Sequence, residues 1–119
     1  MNIPHSISQQ FDALRVCVLV PTYNNQQTLA QVLKDIEKYT RNILVVNDGS
    51  TDQTPDILKE FQHLHIVSYA QNQGKGHALK VGFREAYALG YEYAIPIDSD
   101  GQHYASDLPA FIAAIAEQP

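Results

Sequence analysis

The sequence predicts an α/β fold in which a mainly parallel sheet is doubly wound with helices, a Rossmann-like arrangement. Three observations predict it. Short apolar runs alternate with segments whose apolar residues recur at helical spacing. The runs are apolar at consecutive positions, as strands covered on both faces are. Each run then ends in a polar or glycine-rich segment, the composition of loops at one edge of a sheet.

The elements follow in order. Val16-Cys17-Val18-Leu19-Val20 is the first strand, compact and rich in β-branched residues. Leu29, Val32, Leu33 and Ile36 fall at i, i+3, i+4, i+7 and predict the first helix. Ile43-Leu44-Val45-Val46 is the second strand. Ile57, Leu58 and Phe61 mark the next helix, with Ser50 and Gln53 as its capping box and Pro55 in its first turn. A more polar strand covers residues 64–69. Leu79, Phe83, Ala86 and Tyr87 predict the core face of a further helix that Gly90 stops. Tyr93-Ala94-Ile95-Pro96-Ile97 is the fourth strand. Leu108, Phe111, Ile112 and Ile115 mark the last helix, with Ser106 as its N-cap and Pro109 in its first turn. The order is βαβαβαβα, and right-handed crossovers wind it into one sheet. Residues 1–15 read as a lead-in, with Phe11 and Leu14 available to dock, and residues 16–119 as the folded unit.

Composition bounds the function. A chain of 119 residues allows one domain, and 45% hydrophobic against 18% charged residues is globular rather than disordered. The single cysteine, Cys17, excludes an internal disulfide framework and a Cys-rich zinc site; inside a strand it reads as a small buried hydrophobe. Eight basic against 13 acidic residues give a net charge of −5, which argues against a nucleic-acid partner. No apolar run approaches the roughly 20 residues of a membrane helix. The first 14 residues lack both a basic and an apolar segment, so they do not read as a signal peptide. A cytoplasmic protein is the expectation.

In such sheets ligands bind beyond the carboxyl ends of the strands. The segments there are Pro21-Thr22-Tyr23-Asn24-Asn25, Asn47-Asp48-Gly49-Ser50, Gln73-Gly74-Lys75-Gly76 and Asp98-Ser99-Asp100-Gly101-Gln102. At a strand end, residues i and i+2 point to the same side, so Asp98 and Asp100 repel each other unless a cation lies between them. Oxygen donors suit Mg²⁺ or Mn²⁺, and Gln102 offers a further carbonyl oxygen. A helix cap or a solvated turn is the alternative. The glycine spacing excludes an EF-hand. Asp48 can accept from the N–H of a base or from ribose hydroxyls, or it can close an Asx-turn. Gly74, Lys75 and Gly76 let backbone approach an anion at a helix N-terminus, with the Lys75 ammonium beside it. The loop is not a Walker motif, and no G-x-G-x-x-G follows the first strand. Tyr23, at a strand end, is placed to stack on a base. His63 and His65 read as surface residues, His77 and His103 as surface or ligand-touching ones.

Together these four segments resemble one family. Val-Pro-Thr-Tyr-Asn, Val-Asn-Asp-Gly-Ser-Thr-Asp, Asn-Gln-Gly-Lys-Gly-His-Ala and Ile-Asp-Ser-Asp-Gly-Gln-His are similar to the motifs of the inverting family 2 glycosyltransferases of the GT-A fold. The nearest group is that of dolichol-phosphate mannose and polyprenyl-phosphate sugar synthases. The resemblance implies a UDP- or GDP-linked sugar donor, a divalent metal (Mg²⁺ or Mn²⁺), and a polyprenyl phosphate or a glycan as acceptor, as in cell-wall and polysaccharide synthesis. By the same resemblance, Pro21, Thr22 and Tyr23 lie along the nucleoside and Asp48 contacts the base. Gly74 and Lys75 lie near the nucleotide, Asp98 and Asp100 form the D-x-D motif, and Gln102 is an additional metal ligand.

Two departures qualify it. Many relatives carry Glu where this chain has Asn25, and the role of Asn25 stays open. The chain also ends about one helix past the D-x-D motif, so the resemblance places the acceptor half and the general base beyond Pro119. The isolated chain is then expected to bind donor but turn over poorly, and the whole protein to work at the cytoplasmic membrane face. A sheet of this size also leaves apolar surface suited to pairing with a second copy.

Two other classes fit less well. A sugar-nucleotide pyrophosphorylase-like domain needs a Gly- and Arg-containing loop after the first strand, where this chain has Pro-Thr-Tyr-Asn-Asn. A phospho-receiver needs an acidic pair after its first strand, whereas here the acids follow the second and fourth.

Overall fold

The computed structural model describes residues 6–101 and 105–117. Four strands form one sheet: β1 (Val16–Thr22), β2 (Ile43–Asp48), β3 (His65–Tyr69) and β4 (Tyr93–Pro96). Their order is β3-β2-β1-β4 and every pairing is parallel. Five α-helices, α1 (Ile7–Ala13), α2 (Leu29–Glu37), α3 (Thr54–Leu58), α4 (Lys75–Ala88) and α5 (Leu108–Ala116), and 3₁₀ turns over Lys59–Phe61 and Ala105–Asp107 complete the described elements. The chain winds outward from β1 through β2 to β3, then returns through α4 to place β4 on the other side of β1. The strand order therefore reverses between β1 and β4. At such a reversal the flanking loops diverge and open a crevice.

The sheet separates two apolar layers. Val16, Val18, Val20, Ile43, Val45 and Ile95 face Leu29, Leu33 and Ile36 of α2, together with Phe11 of α1 and Leu108 and Ile112 of α5. Cys17, Leu19, Leu44 and Val46 face α4. Strand alternation thus splits β1 cleanly between the layers. Pro96 falls in an edge strand, where a missing N–H costs no ladder bond. The next residue still pairs, with the Ile97 N–H donating to the Leu19 carbonyl at 2.9 Å.

The structure differs from the sequence reading at five places. The lead-in contains α1. Its start is a capping box in which Ser6 Oγ accepts from the Gln9 N–H and Gln9 Oε1 from the Ser6 N–H, and Phe11 is fully buried. The S-x-x-Q signal was present there, with Ile7, Phe11 and Leu14 at helical spacing behind it, and Ile7 and Leu14 pack against the core beside Phe11.

The second difference is the start of α3. Ser50 and Gln53 do not form a capping box; the Asp52 carboxylate accepts from the Thr54 N–H instead, at 2.8 Å. Third, Ser106 is not the N-cap of α5. A 3₁₀ turn over Ala105–Asp107 leads in, and Asp107 takes that position without a side-chain bond.

Fourth, α4 presents a different face. Phe83 and Tyr87 are exposed, Tyr87 to 84%, while Ala78, Gly82 and Ala86 meet the sheet. Small residues at i, i+4 and i+8 bring the helix axis close. A Cβ at Gly82 would run into the Leu19 side chain. Fifth, Phe111 of α5 is likewise turned to solvent rather than to the core.

Candidate donor site

Beyond the carboxyl ends of the strands lies a cleft of about 370 Å³. Pro21, Thr22, Tyr23, Asn25, Asp48, Asn72, Gly74, Lys75, Ala78, Asp98, Ser99 and Asp100 line it. Pro21, Thr22, Tyr23, Asp48, Gly74, Lys75, Asp98 and Asp100, all singled out from the sequence, therefore meet in one cavity. Gln102 and His103 lie outside the described residues.

Each wall has a local cause. Thr22 ends β1 beside Asn47, and its Oγ1 is buried with no hydrogen-bond partner among the described residues. A buried hydroxyl in that state is costly unless something in the cleft completes it. Tyr23 follows with its ring half exposed over the opening.

Asp48 ends β2 and is only 2% exposed. Its Oδ1 accepts from the Gln73 N–H at 2.8 Å, and its Oδ2 from the Gly74 N–H at 3.0 Å and Asn72 Nδ2 at 2.9 Å. A buried carboxylate requires such compensation. It supplies the reason why residues 72–74 sit where they do. Each carboxylate oxygen has about two acceptor positions, so Oδ1 keeps capacity for one further donor.

The same loop passes close to the turn after β2. Gly49 has φ of +66°, and a Cβ there would collide with the backbone of Asn72. Behind Asp48, burial first and the neighbouring carboxylate second push the ionisation of the Tyr69 phenol upward. His77 meets the Tyr69 ring edge-on, with centroids 5.6 Å apart. His63 and His65 stay at the surface, each 2.9 Å from a glutamate, Glu37 and Glu85 respectively.

Helix α4 starts at the cleft with Gly74 as its N-cap. The first-turn N–H groups of such a helix have no intrahelical acceptor, and the helix dipole is positive there. Lys75, the first helical residue, reaches across the cleft, and its Nζ lies 2.5 Å from Asp98 Oδ1.

Sequence reading missed the residues that hold the rim in place. Asn24, at a positive φ of 51°, ties the loop after β1 to the loop after β2. Its N–H donates to Ser50 Oγ, while its Oδ1 accepts from the Thr51 N–H at 2.8 Å and the Asp52 N–H at 3.2 Å. Asn25 Nδ2 donates to Ser99 Oγ at 2.6 Å, Ser99 Oγ donates to the Pro21 carbonyl at 3.1 Å, and Thr28 Oγ1 donates to the Ser99 carbonyl at 2.6 Å. Ser99 thus fastens the acidic turn to the end of β1. No local pattern announces these bonds, whose partners are 26 to 78 residues apart.

The donor set suits a hard divalent cation. Among the described residues no group of three or more His, Cys, Asp or Glu side chains could cage a metal. Two carboxylates at one cleft are instead the arrangement in which Mg²⁺ takes its remaining ligands from water and substrate phosphates. The Lys75 ammonium against Asp98 already shows that this turn draws positive charge.

A model of glycosyl transferase family 2 matches residues 17–119. The chain belongs to that family. The family 2 chain is 29% identical over 117 residues to the UDP-N-acetylglucosamine–dolichyl-phosphate N-acetylglucosaminyltransferase of Methanococcus voltae, a match covering 84% of this chain and 47% of that one. It is 31% identical over 108 residues to the undecaprenyl-phosphate mannosyltransferase of Micrococcus luteus, covering 86% and 44%. Among solved structures, the glucosyl-3-phosphoglycerate synthase of Mycobacterium tuberculosis, in complex with Mn²⁺, UDP and glucosyl-3-phosphoglycerate, superposes with a TM-score of 0.72. That match has 22% identity and covers 93% of this chain and 43% of that one, and it shows the shared GT-A fold. The family 2 chain spans less than half the length of these curated relatives. No helix among the described residues is long and apolar enough to cross a membrane.

Proposed function

We propose that the cleft is the donor subsite of a glycosyltransferase. It takes a nucleoside-diphosphate sugar together with Mg²⁺ or Mn²⁺, and the whole protein transfers the sugar to a polyprenyl phosphate with inversion at the anomeric carbon. The observation that carries this reading is the meeting of the Asp98–Asp100 pair, Lys75, the α4 N-terminus and Asp48 in one cavity. An anionic diphosphate could not approach two carboxylates unless a cation intervened. A bound divalent cation would be held by Asp98 and Asp100, with Gln102 as an added donor, and would act as a Lewis acid on the departing diphosphate.

The chain's own residues do the rest. Tyr23 stacks on the base while Pro21 and Thr22 flank the nucleoside, and the Thr22 hydroxyl gains a partner. Asp48 uses its remaining acceptor position for an N–H of the base and keeps residues 72–74 in place. Lys75 and the first-turn amides of α4 receive the diphosphate beside Gly74. UDP is favoured over GDP, because one relative's name specifies a UDP-linked donor. The names of both relatives specify a polyprenyl-type phosphate acceptor, and on this reading the whole protein works at the cytoplasmic face of a membrane.

Calorimetric titration of the chain with UDP and with GDP, with and without Mn²⁺, tests the reading. Metal-dependent heat with UDP is the expected outcome. Heat with neither nucleotide in the presence of Mn²⁺ would overturn it.

A further inference from the structure

Lys75 is anchored at the first position of α4, where the helix dipole disfavours a positive side chain. It nevertheless points its ammonium into the cleft at Asp98 Oδ1, 2.5 Å away. The Lys75 side chain is 59% exposed and that of Asp98 21%, so the ammonium stands in the wet mouth of the cavity over a largely sheltered carboxylate. The exposed ammonium can leave such a pair for water or another anion without unburying itself. A lysine also has a flexible four-carbon stem and a single charge, which lets its head move without disturbing the helix. Lys75 belongs to neither apolar layer.

Building on the donor-site reading above, we infer that Lys75 is an internal counter-cation that holds Asp98 and yields it when a divalent cation and a nucleoside diphosphate arrive together. Metal alone must evict the ammonium and leave it facing a doubly charged ion. Diphosphate alone meets an ammonium already committed to Asp98. With both present, Asp98 would serve as a ligand to the metal and the released Lys75 ammonium would turn to the diphosphate in the same cleft. The two ligands therefore bind with positive coupling, and by linkage each raises the affinity for the other by the same factor.

The test compares the wild-type chain with Lys75→Met and Lys75→Arg. Binding of Mn²⁺ alone is read from the electron paramagnetic resonance signal of the free ion, and binding of UDP from calorimetry at saturating Mn²⁺. Lys75→Met is expected to bind Mn²⁺ alone about fivefold more tightly, because a repelling charge is gone. It is expected to bind UDP with Mn²⁺ about tenfold more weakly, because a charge-assisted contact is gone. Lys75→Arg keeps the charge and is expected to match wild type for Mn²⁺ alone. If wild type binds UDP with Mn²⁺ but Lys75→Met takes Mn²⁺ no more tightly, the counter-cation inference fails and the donor-site reading stands. If no variant binds Mn²⁺ or UDP in any combination, both fail.

Discussion

Asn25 donates to the hydroxyl of Ser99 across 2.6 Å, joining two loops that are 74 residues apart in sequence. Ser99 is the middle residue of the acidic turn, and its hydroxyl passes the interaction on to the Pro21 carbonyl. The residue between two carboxylates thus serves as a mount for them rather than as a spacer.

Replacing Ser99 by Ala leaves the Asn25 amide and the Pro21 carbonyl without this partner in a buried place. A loss of about 1–2 kcal/mol is expected in urea unfolding. A double-mutant cycle with Asn25→Ala should return a coupling energy of about 0.5–1.5 kcal/mol, since both substitutions remove the same bond. A coupling energy of zero would show that this bond does not help to fasten the two loops.

Asp48→Asn replaces one of the two accepting oxygens by an NH2 donor, so the Gln73 and Gly74 N–H groups, which donate to different oxygens, can no longer both be satisfied and the charge that holds them is gone. Stability should fall by about 2–3 kcal/mol, the usual scale for hydrogen bonds to a buried charge. The informative readout is local. Amide exchange at Gly74 should accelerate before exchange in the β1 core does, because the loop loses its mount while the sheet does not. Unchanged protection at Gly74 would refute the account of this loop.

Gly82→Val forces α4 away from Leu19 and should cost about 1–3 kcal/mol through overpacking. Tyr87→Ser, on the exposed side of the same helix, should change stability by less than about 0.5 kcal/mol. Chemical denaturation of both variants checks the assignment of the helix face, and the reverse ranking would overturn it.

Cys17 is fully buried, and burial pushes its thiol up from 9.0 to about 11. The native chain should therefore resist Ellman's reagent at pH 8 until it is unfolded. The pH dependence has a definite sign. Between these two values the folded state keeps a proton that the unfolded state releases, so this contribution is complete below pH 9 and is lost as the pH rises toward 11. The decline is roughly 2–3 kcal/mol, and Cys17→Ala should lack it. Stability measured across pH 8.5–11 for both chains tests the point.

The strands were legible because burial on both faces writes itself as consecutive apolar residues, as in Val16 to Val20. The site was legible for a related reason. Loops at the carboxyl edge need not pack, so residues such as Asp98, Asp100 and Lys75 stand out there against the apolar strands. The face of α4 was not legible. Apolar periodicity ranks Phe83 above Gly82, yet close approach to Leu19 selects the smaller residue. The bonds of Asn24 and Ser99 were hidden for a different reason: each joins loops distant in sequence, and nothing near either residue encodes its partner. Helix α1 lay between these cases, with its capping signal and Ile7, Phe11 and Leu14 visible, but in a seven-residue segment too short to declare a helix.

The mounting of the rim by Asn24, Asp48 and Ser99 has a thermodynamic consequence. Four loops that would otherwise each have to be ordered by a ligand are already held by side chains of the protein itself. Little conformational freedom remains there to be lost on association, so a large share of the contact energy is retained as affinity. Heat and entropy of binding should then report mainly on water and ions leaving the cleft, with the polypeptide contributing little.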